Sequence, residues 1–276
     1  MTLSLSSVPD VLARIGAAHD VAFGSYFLPH GAMREALAGA ARRGAHVSVT
    51  LQADPYRNPF GGRCNAEAAR VLRAAGADVS LLPSDSAPFH LKAAVCDGVA
   101  YLDDRNWTKR GPEIVVADDD TSDVGLVRDA LAGHSGADRA LATRKDVALA
   151  REVALVESAR GAPVTVETER VATSPLTQAL ARHARAGGRT TLVVARASRR
   201  SSREASAIAK LVADGVVVRE GGSNQKLALA GDTAWIGSGN ATGASGRNAR
   251  QLEWGMRTRN PALVGAVAAA LAHDLR

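Results

Sequence analysis

His90 and Lys92 stand two residues apart in the stretch FHLKAAVCDGVAYLDDRNW, with Asp97 and Asn106 following. In an extended strand, residues i and i+2 point the same way, so the imidazole and the ammonium share one face while Leu91 and AAVC face a packed interior. Asp97-Gly98 favours a tight hairpin, which gives Asp97 a structural role and returns VAYL alongside, delivering Asn106 to the same spot. The trio suits a phosphate. Lys92 supplies positive charge, Asn106 donates hydrogen bonds, and His90 offers a nitrogen that attacks phosphorus or carries a proton.

The stretch has an echo 134 residues later, SNQKLALAGDTAWIGSGNAT. Lys226 and Asn240 fall where Lys92 and Asn106 stood, Ser238 joins them, and Asn224 takes the place of the histidine. A pseudo-symmetric packing of the halves would surround one phosphoryl group with two lysines and two asparagines. Ser238 and Asn240 also suit a plain turn in IGSGNAT.

The elements that must position these groups repeat as well. AHDVAFGSYF, HGAMREALAGAARRGA, HVSVTLQAD, CNAEAARVLRAAGA and DVSLL alternate strand and helix. APVTVETERV, SPLTQALARHARAGG, RTTLVVARAS, SREASAIAKLVADG and VVVREG run in the same order. Apolar strands between helices of 3.6-residue periodicity predict an α/β protein of two pseudo-symmetric lobes, each a mixed sheet flanked by helices. The expected boundaries are 1–133 for the first repeat, 134–161 for a linker and connecting helix, and 162–276 for the second repeat. The run Asp118-Asp119-Asp120 reads as a solvated loop.

Of 276 residues, 46% are hydrophobic and 22% charged, which excludes disorder, and no apolar run reaches the length of a membrane span. The first residues lack a basic start and read as no secretory signal. Cys64 and Cys96 lie far apart without metal-type spacing, which together with the absent signal predicts reduced thiols and a cytoplasmic protein. The net charge of +6 is uneven: 13 basic and 17 acidic residues up to 138, then 21 and 11. A basic second half suits an anionic partner, and Arg196, Arg199, Arg200 and Arg203 in RASRRSSR follow a strand, where ligand loops of α/β sheets gather. With aromatics at 4%, base-stacking platforms are scarce, and any nucleic-acid contact would be mainly to the backbone.

The paired stretches resemble the repeated HxKxxxxD…GSxN motif of the phospholipase D superfamily. His90, Lys92 and Asp97 match its first part; Asn106 matches the second, with Asp104 in the serine's place. The second copy keeps Lys226, Gly237, Ser238 and Asn240, and departs at Asn224 and at Gly231, where aspartate belongs. The resemblance spans nearly the whole chain and implies a bilobal fold. It also implies a metal-independent phosphodiesterase, needing no cofactor, acting on nucleic acid or a phospholipid head group through a phosphohistidine. On that analogy His90 is the nucleophile, Lys92, Asn106 and Lys226 complete the catalytic set, and Glu113 fixes the tautomer of His90. Asn224, Ser238, Asn240, Glu253, Arg199 and Arg200 bind substrate. In such enzymes a second histidine protonates the leaving oxygen, which Asn224 cannot do. Three consequences stay open: another acid among His30, Tyr26 and His134, a substrate with a good leaving group, or a site that binds phosphodiesters without cutting them.

Overall fold

A computed structural model of the chain describes residues 3–55, 59–83, 88–107, 113–196 and 200–275. The first lobe runs β1 (Leu3–Ser6), α1 (Val8–Ala17), β2 (Asp20–Ser25), α2 (Ala32–Arg42), β3 (His46–Gln52), α3 (Pro59–Ala74) and β4 (Asp78–Leu82). It continues through β5 (Ala93–Cys96), β6 (Val99–Asp103), β7 (Val115–Asp118) and α4 (Thr121–Leu131). The second lobe runs β8 (Leu141–Arg144), α5 (Lys145–Glu157), β9 (Val164–Thr168), α6 (Pro175–Arg185), β10 (Thr190–Ala195), α7 (Ser202–Ala213) and β11 (Val217–Gly222). It closes with β12 (Leu227–Ala230), β13 (Thr233–Gly237), β14 (Leu252–Thr258) and α8 (Pro261–Asp274).

Each lobe holds a seven-stranded mixed sheet, in the orders β1-β7-β6-β5-β2-β3-β4 and β8-β14-β13-β12-β9-β10-β11, so the two correspond strand for strand. The strands joined through helices pair in parallel, as β2 with β3 and β9 with β10. Those joined by tight turns, β5 with β6 and β12 with β13, pair antiparallel. This correspondence revises the expected boundaries. Residues 134–161 hold no separate connector: β8 is the edge strand of the second sheet and α5 packs on it, the counterparts of β1 and α1. Their short strand and weak periodicity hid the match. Asp120 caps α4, accepting from the N–H groups of Ser122 and Asp123.

The register fixes which residues are equivalent. Gly24 pairs with Ala93 as Glu167 pairs with Leu227, and Asp103 pairs with Val115 as Gly237 pairs with Gly255. Counting from those pairs, His90 matches Asn224, Lys92 matches Lys226, Asp104 matches Ser238, Arg105 matches Gly239 and Glu113 matches Glu253. Tyr26 matches Glu169.

The lobes share one core. Phe89, Leu91, Val95 and Leu102 pack with Leu227, Ile236, Leu252, Trp254 and Met256. Burying each such side chain contributes about 1.5–3 kcal/mol. Main-chain bonds cross the same seam: Phe89 and Leu252 form a parallel bridge, and the His90 N–H donates to the Leu252 carbonyl at 2.9 Å. Trp254 Nε1 donates to the Asp103 carbonyl at 2.8 Å. A bridge at 89 and 252 places residue 90 beside residue 253. No helix among the described residues is long and apolar enough to cross a membrane.

Candidate functional site

His90 lies just before β5, its side chain 16% exposed, with Nδ1 3.0 Å from Oε1 of Glu253 in the other lobe. Lys92 Nζ is 2.9 Å from His90 Nδ1, 3.0 Å from Nε2 and 2.9 Å from the His90 carbonyl. The Tyr26 ring meets the imidazole edge-on with centroids 4.7 Å apart, and Lys92 Nζ sits 5.8 Å from the same ring. Burial first, then the Lys92 charge, lowers the His90 pKa to about 4 despite the Glu253 bond, so the ring is neutral near pH 7. With Nδ1–H assigned toward Glu253, Nε2 keeps its lone pair. Burial and the Lys226 ammonium bring the Lys92 pKa down to about 7. Burial pushes the Glu253 carboxyl up, but Lys145 and His90 outweigh it and hold the group at about 2.

From the second lobe, Lys226 Nζ donates to the Asn224 carbonyl at 2.6 Å, as Lys92 does to the His90 carbonyl, and lies 3.2 Å from Glu169 Oε2. The Lys226 charge lowers the pKa of both His90 and Lys92 across the lobe boundary. Sequence reasoning passed over Lys145, which is 3.9 Å from Glu253 Oε1 and donates to Thr242 Oγ1 at 3.2 Å. It also passed over Glu169. No motif marks either residue; only the register, which makes Glu169 the counterpart of Tyr26, could have found it.

Several expected residues stand elsewhere. Glu113 does not orient His90: cross-lobe pairing gives that contact to Glu253, and Glu113 Oε1 instead faces Arg105 Nη2 at 4.0 Å within the group Asp103, Asp104 and Arg105. Burial and Asp103 push Glu113 up to about 8, and the same two causes raise Asp104 to about 7. Asn224 is exposed in a left-handed conformation, φ 67°, which Asn tolerates better than most residues, so it does not repeat the placement of His90. Ser238 is fully buried and accepts the Trp254 N–H at 3.1 Å, tying β13 to β14 rather than facing a ligand. Asn240 Oδ1 accepts from the Arg170 N–H at 3.2 Å. Asn106 is half-buried, and its buried Oδ1 has no partner among the described residues.

Arg200 is committed to the fold: Nη2 donates to the Ala195 carbonyl at 2.7 Å and Nε to Glu220 Oε1 at 3.2 Å. Arg199 lies outside the described residues, whereas Arg196 and Arg203 are exposed. Asp97 accepts the His19 and Asp20 N–H groups at 3.1 and 3.0 Å from a φ of 46°, so it builds the turn. Of the three candidate acids, Tyr26 alone touches the site. The His30 ring is 76% exposed beside Glu35, and His134 is exposed beyond α4.

No family model matches this sequence, and no curated protein matches it. Solved structures do match. The whole chain superposes on half of a polyphosphate kinase from Porphyromonas gingivalis, with a TM-score of 0.71 at 15% identity. A yeast tyrosyl-DNA phosphodiesterase variant matches 94% of this chain over 88% of its own length, with a TM-score of 0.53 at 11% identity. Nuc, a phospholipase D family member from Salmonella typhimurium, matches 48% of this chain over 91% of its own, at 0.41 and 17%. The fold is the phospholipase D-like pair of α/β lobes, and the chain spans half the length of the polyphosphate kinase it matches.

Proposed function

We propose that this chain is a phosphoryl-transfer enzyme of the phospholipase D-like type, cleaving a phosphodiester through a covalent intermediate on His90. One observation carries the reading: the imidazole of the first lobe is bonded at Nδ1 to a buried, ionised glutamate of the second, 3.0 Å away, while Lys92 lies against the ring. A neutral imidazole with its Nδ1 proton engaged and Nε2 unprotonated is a nucleophile at neutral pH. Lys92 and Lys226 supply the charge to hold a phosphoryl group. The names of the two neighbours with wide coverage, a polyphosphate kinase and a tyrosyl-DNA phosphodiesterase, both denote phosphoryl chemistry.

In this reading Nε2 attacks phosphorus, the bond to the leaving oxygen breaks, and water or an alcohol then displaces His90. Glu253 stabilises the imidazolium character that develops on phosphorylation. The substrate is a nucleic acid or a phospholipid head group. The test is to incubate the protein with bis(p-nitrophenyl) phosphate and with supercoiled DNA, with chelator, beside His90→Ala. Turnover that depends on His90 and ignores chelator supports the assignment; equal turnover in the variant removes it.

A second reading has its own observation. Asn224 is exposed and Arg105 faces Glu113, so the second half-site lacks any imidazole and the chain serves as a phosphate-binding module. Tight binding of DNA without turnover or a histidine adduct favours it.

A further inference from the structure

We propose that Glu169 transfers the proton in this site, doing from the opposite lobe what residue 224 cannot. The inference rests on the phosphotransfer reading above and names the group that completes it.

Placement comes first. Glu169 directly follows β9 and matches Tyr26 in register, so the two residues flank the site from either lobe, Tyr26 against His90 and Glu169 against Lys226. A nucleophile and a leaving group lie on opposite sides of phosphorus in an in-line displacement. With His90 entering from the first lobe, the leaving oxygen departs toward the second, where Lys226 and Glu169 stand.

Access comes second. The Glu169 side chain is 44% exposed, whereas that of Glu253 is 2% exposed and already bonded to His90. A ligand and a water molecule can therefore reach Glu169. The titratable groups that face it are Lys226 at 3.2 Å, then Lys92 and His90 across the lobe boundary; neighbouring Arg170 turns away to Glu204 at 3.3 Å. Although burial pushes its carboxyl up, Lys226 outweighs that and holds it below the ordinary carboxylate value. A phosphate anion seated on the two lysines takes over Lys226 and sets negative charge beside the carboxylate, which favours its protonated form.

The steps balance. The Nε2 lone pair forms the N–P bond, the P–O bond breaks with its electron pair on oxygen, and the Glu169 carboxylic acid gives that oxygen its proton. Water then attacks phosphorus, the N–P electron pair returns to Nε2, and the Glu169 carboxylate takes a proton from the water. The Nδ1 proton stays on His90, facing Glu253, throughout.

The experiment compares native protein with Glu169→Gln and Glu169→Asp on two diesters, one with a p-nitrophenyl and one with an alkyl leaving group. Nitrophenolate leaves without a proton; an alkoxide does not. Glu169→Gln should lose about 10²–10⁴-fold on the alkyl ester. With the nitrophenyl ester it should show a burst and then accumulate adduct on His90, because the step that needs a base has slowed. Glu169→Asp should restore part of both. A variant that turns over both esters like native protein, or that loses both equally without adduct, overturns the role of Glu169. Native protein that forms neither product nor adduct overturns the phosphotransfer reading itself.

Discussion

The two half-sites of this duplicated fold share strand order, register and a lysine, yet their interiors differ in kind. On one side Glu253 reaches across the seam to His90. On the other the equivalent carboxyl, Glu113, faces Arg105, whose Nη1 in turn donates to the Ser223 carbonyl of the second lobe at 3.3 Å. The position that decides this is the third residue of each turn. Gly239 lies so close to the carboxylate that a Cβ there would sit 2.6 Å from Glu253 Oε2; its counterpart is Arg105. Glycine leaves Glu253 room to reach an imidazole, whereas Arg105 stands 4.0 Å from Glu113. The second half-site therefore differs from the first by a set of features and not by one residue: Asn224 is exposed, Arg105 stands where the other lobe has Gly239, and Glu113 is raised to about 8.

That comparison breaks most sharply if the two glutamates prove interchangeable. Glu253→Gln should lower kcat about 10³–10⁴-fold, since it removes the acceptor that fixes the tautomer of His90, while Glu113→Gln should stay within threefold of native. Parallel kcat and KM measurements on the aryl diester decide it, and equal losses would show that the halves do not differ. Next in size is reconstruction of the second half. Asn224→His alone should change turnover less than threefold, because Glu113 remains with Arg105. Combined with Arg105→Gly it should raise turnover of an alkyl ester by about 10²-fold, the lower end of what a general acid contributes. Gly239→Ala comes third: a methyl group against a buried carboxylate held by His90 and Lys145 should cost roughly tenfold in kcat, whereas Gly265→Ala, where a Cβ meets open space, should leave kcat alone.

The smallest effect is on stability, and the half-sites differ in sign. His90 has a folded pKa below its unfolded value, about 4 against 6.5, so its contribution is lost as pH falls from 6.5 toward 4. Glu113 and Asp104 have folded values above theirs, so their contribution is present at low pH and is lost as pH rises from about 4 toward 8. Glu113→Gln should therefore reduce the loss of Tm between pH 5 and pH 8 by a few degrees, on the order of 1 kcal/mol. Calorimetry at both pH values measures the difference, and an unchanged slope would mean that Glu113 ionises normally.

Much of this was legible in the residues. His90, Lys92 and Asp97 and their echo at a constant offset point to the two-lobed fold and to Lys92 lying beside His90, because β-strand alternation and hairpin register follow directly from local sequence. The cross-lobe pairing was not legible. Glu113 and Glu253 look equal in sequence, and only the bridge between Phe89 and Leu252 shows that the second lobe supplies the carboxylate for His90. Ser238 looked like a ligand because its motif is polar, yet its hydroxyl is used by the Trp254 N–H. Arg200 looked like part of an anion approach, yet Ala195, Glu204 and Glu220 engage it. Lys145 and Glu169 carry no local signature at all, since their places depend on how the second sheet meets the first. The first strand and helix of the second lobe, β8 and α5, were read as a connector for the same reason: the pairing that defines β8 is made with β14, over a hundred residues away.

The central claim is that phosphorus becomes bonded to the ring of residue 90. Rapid acid-free quenching of the native protein with the nitrophenyl diester, followed by peptide mass spectrometry, reads it directly. One phosphoryl adduct, labile in acid, stable in base and confined to the peptide carrying His90, is the expected result, with none in His90→Ala. An adduct on another residue, or steady turnover by His90→Ala, contradicts the account.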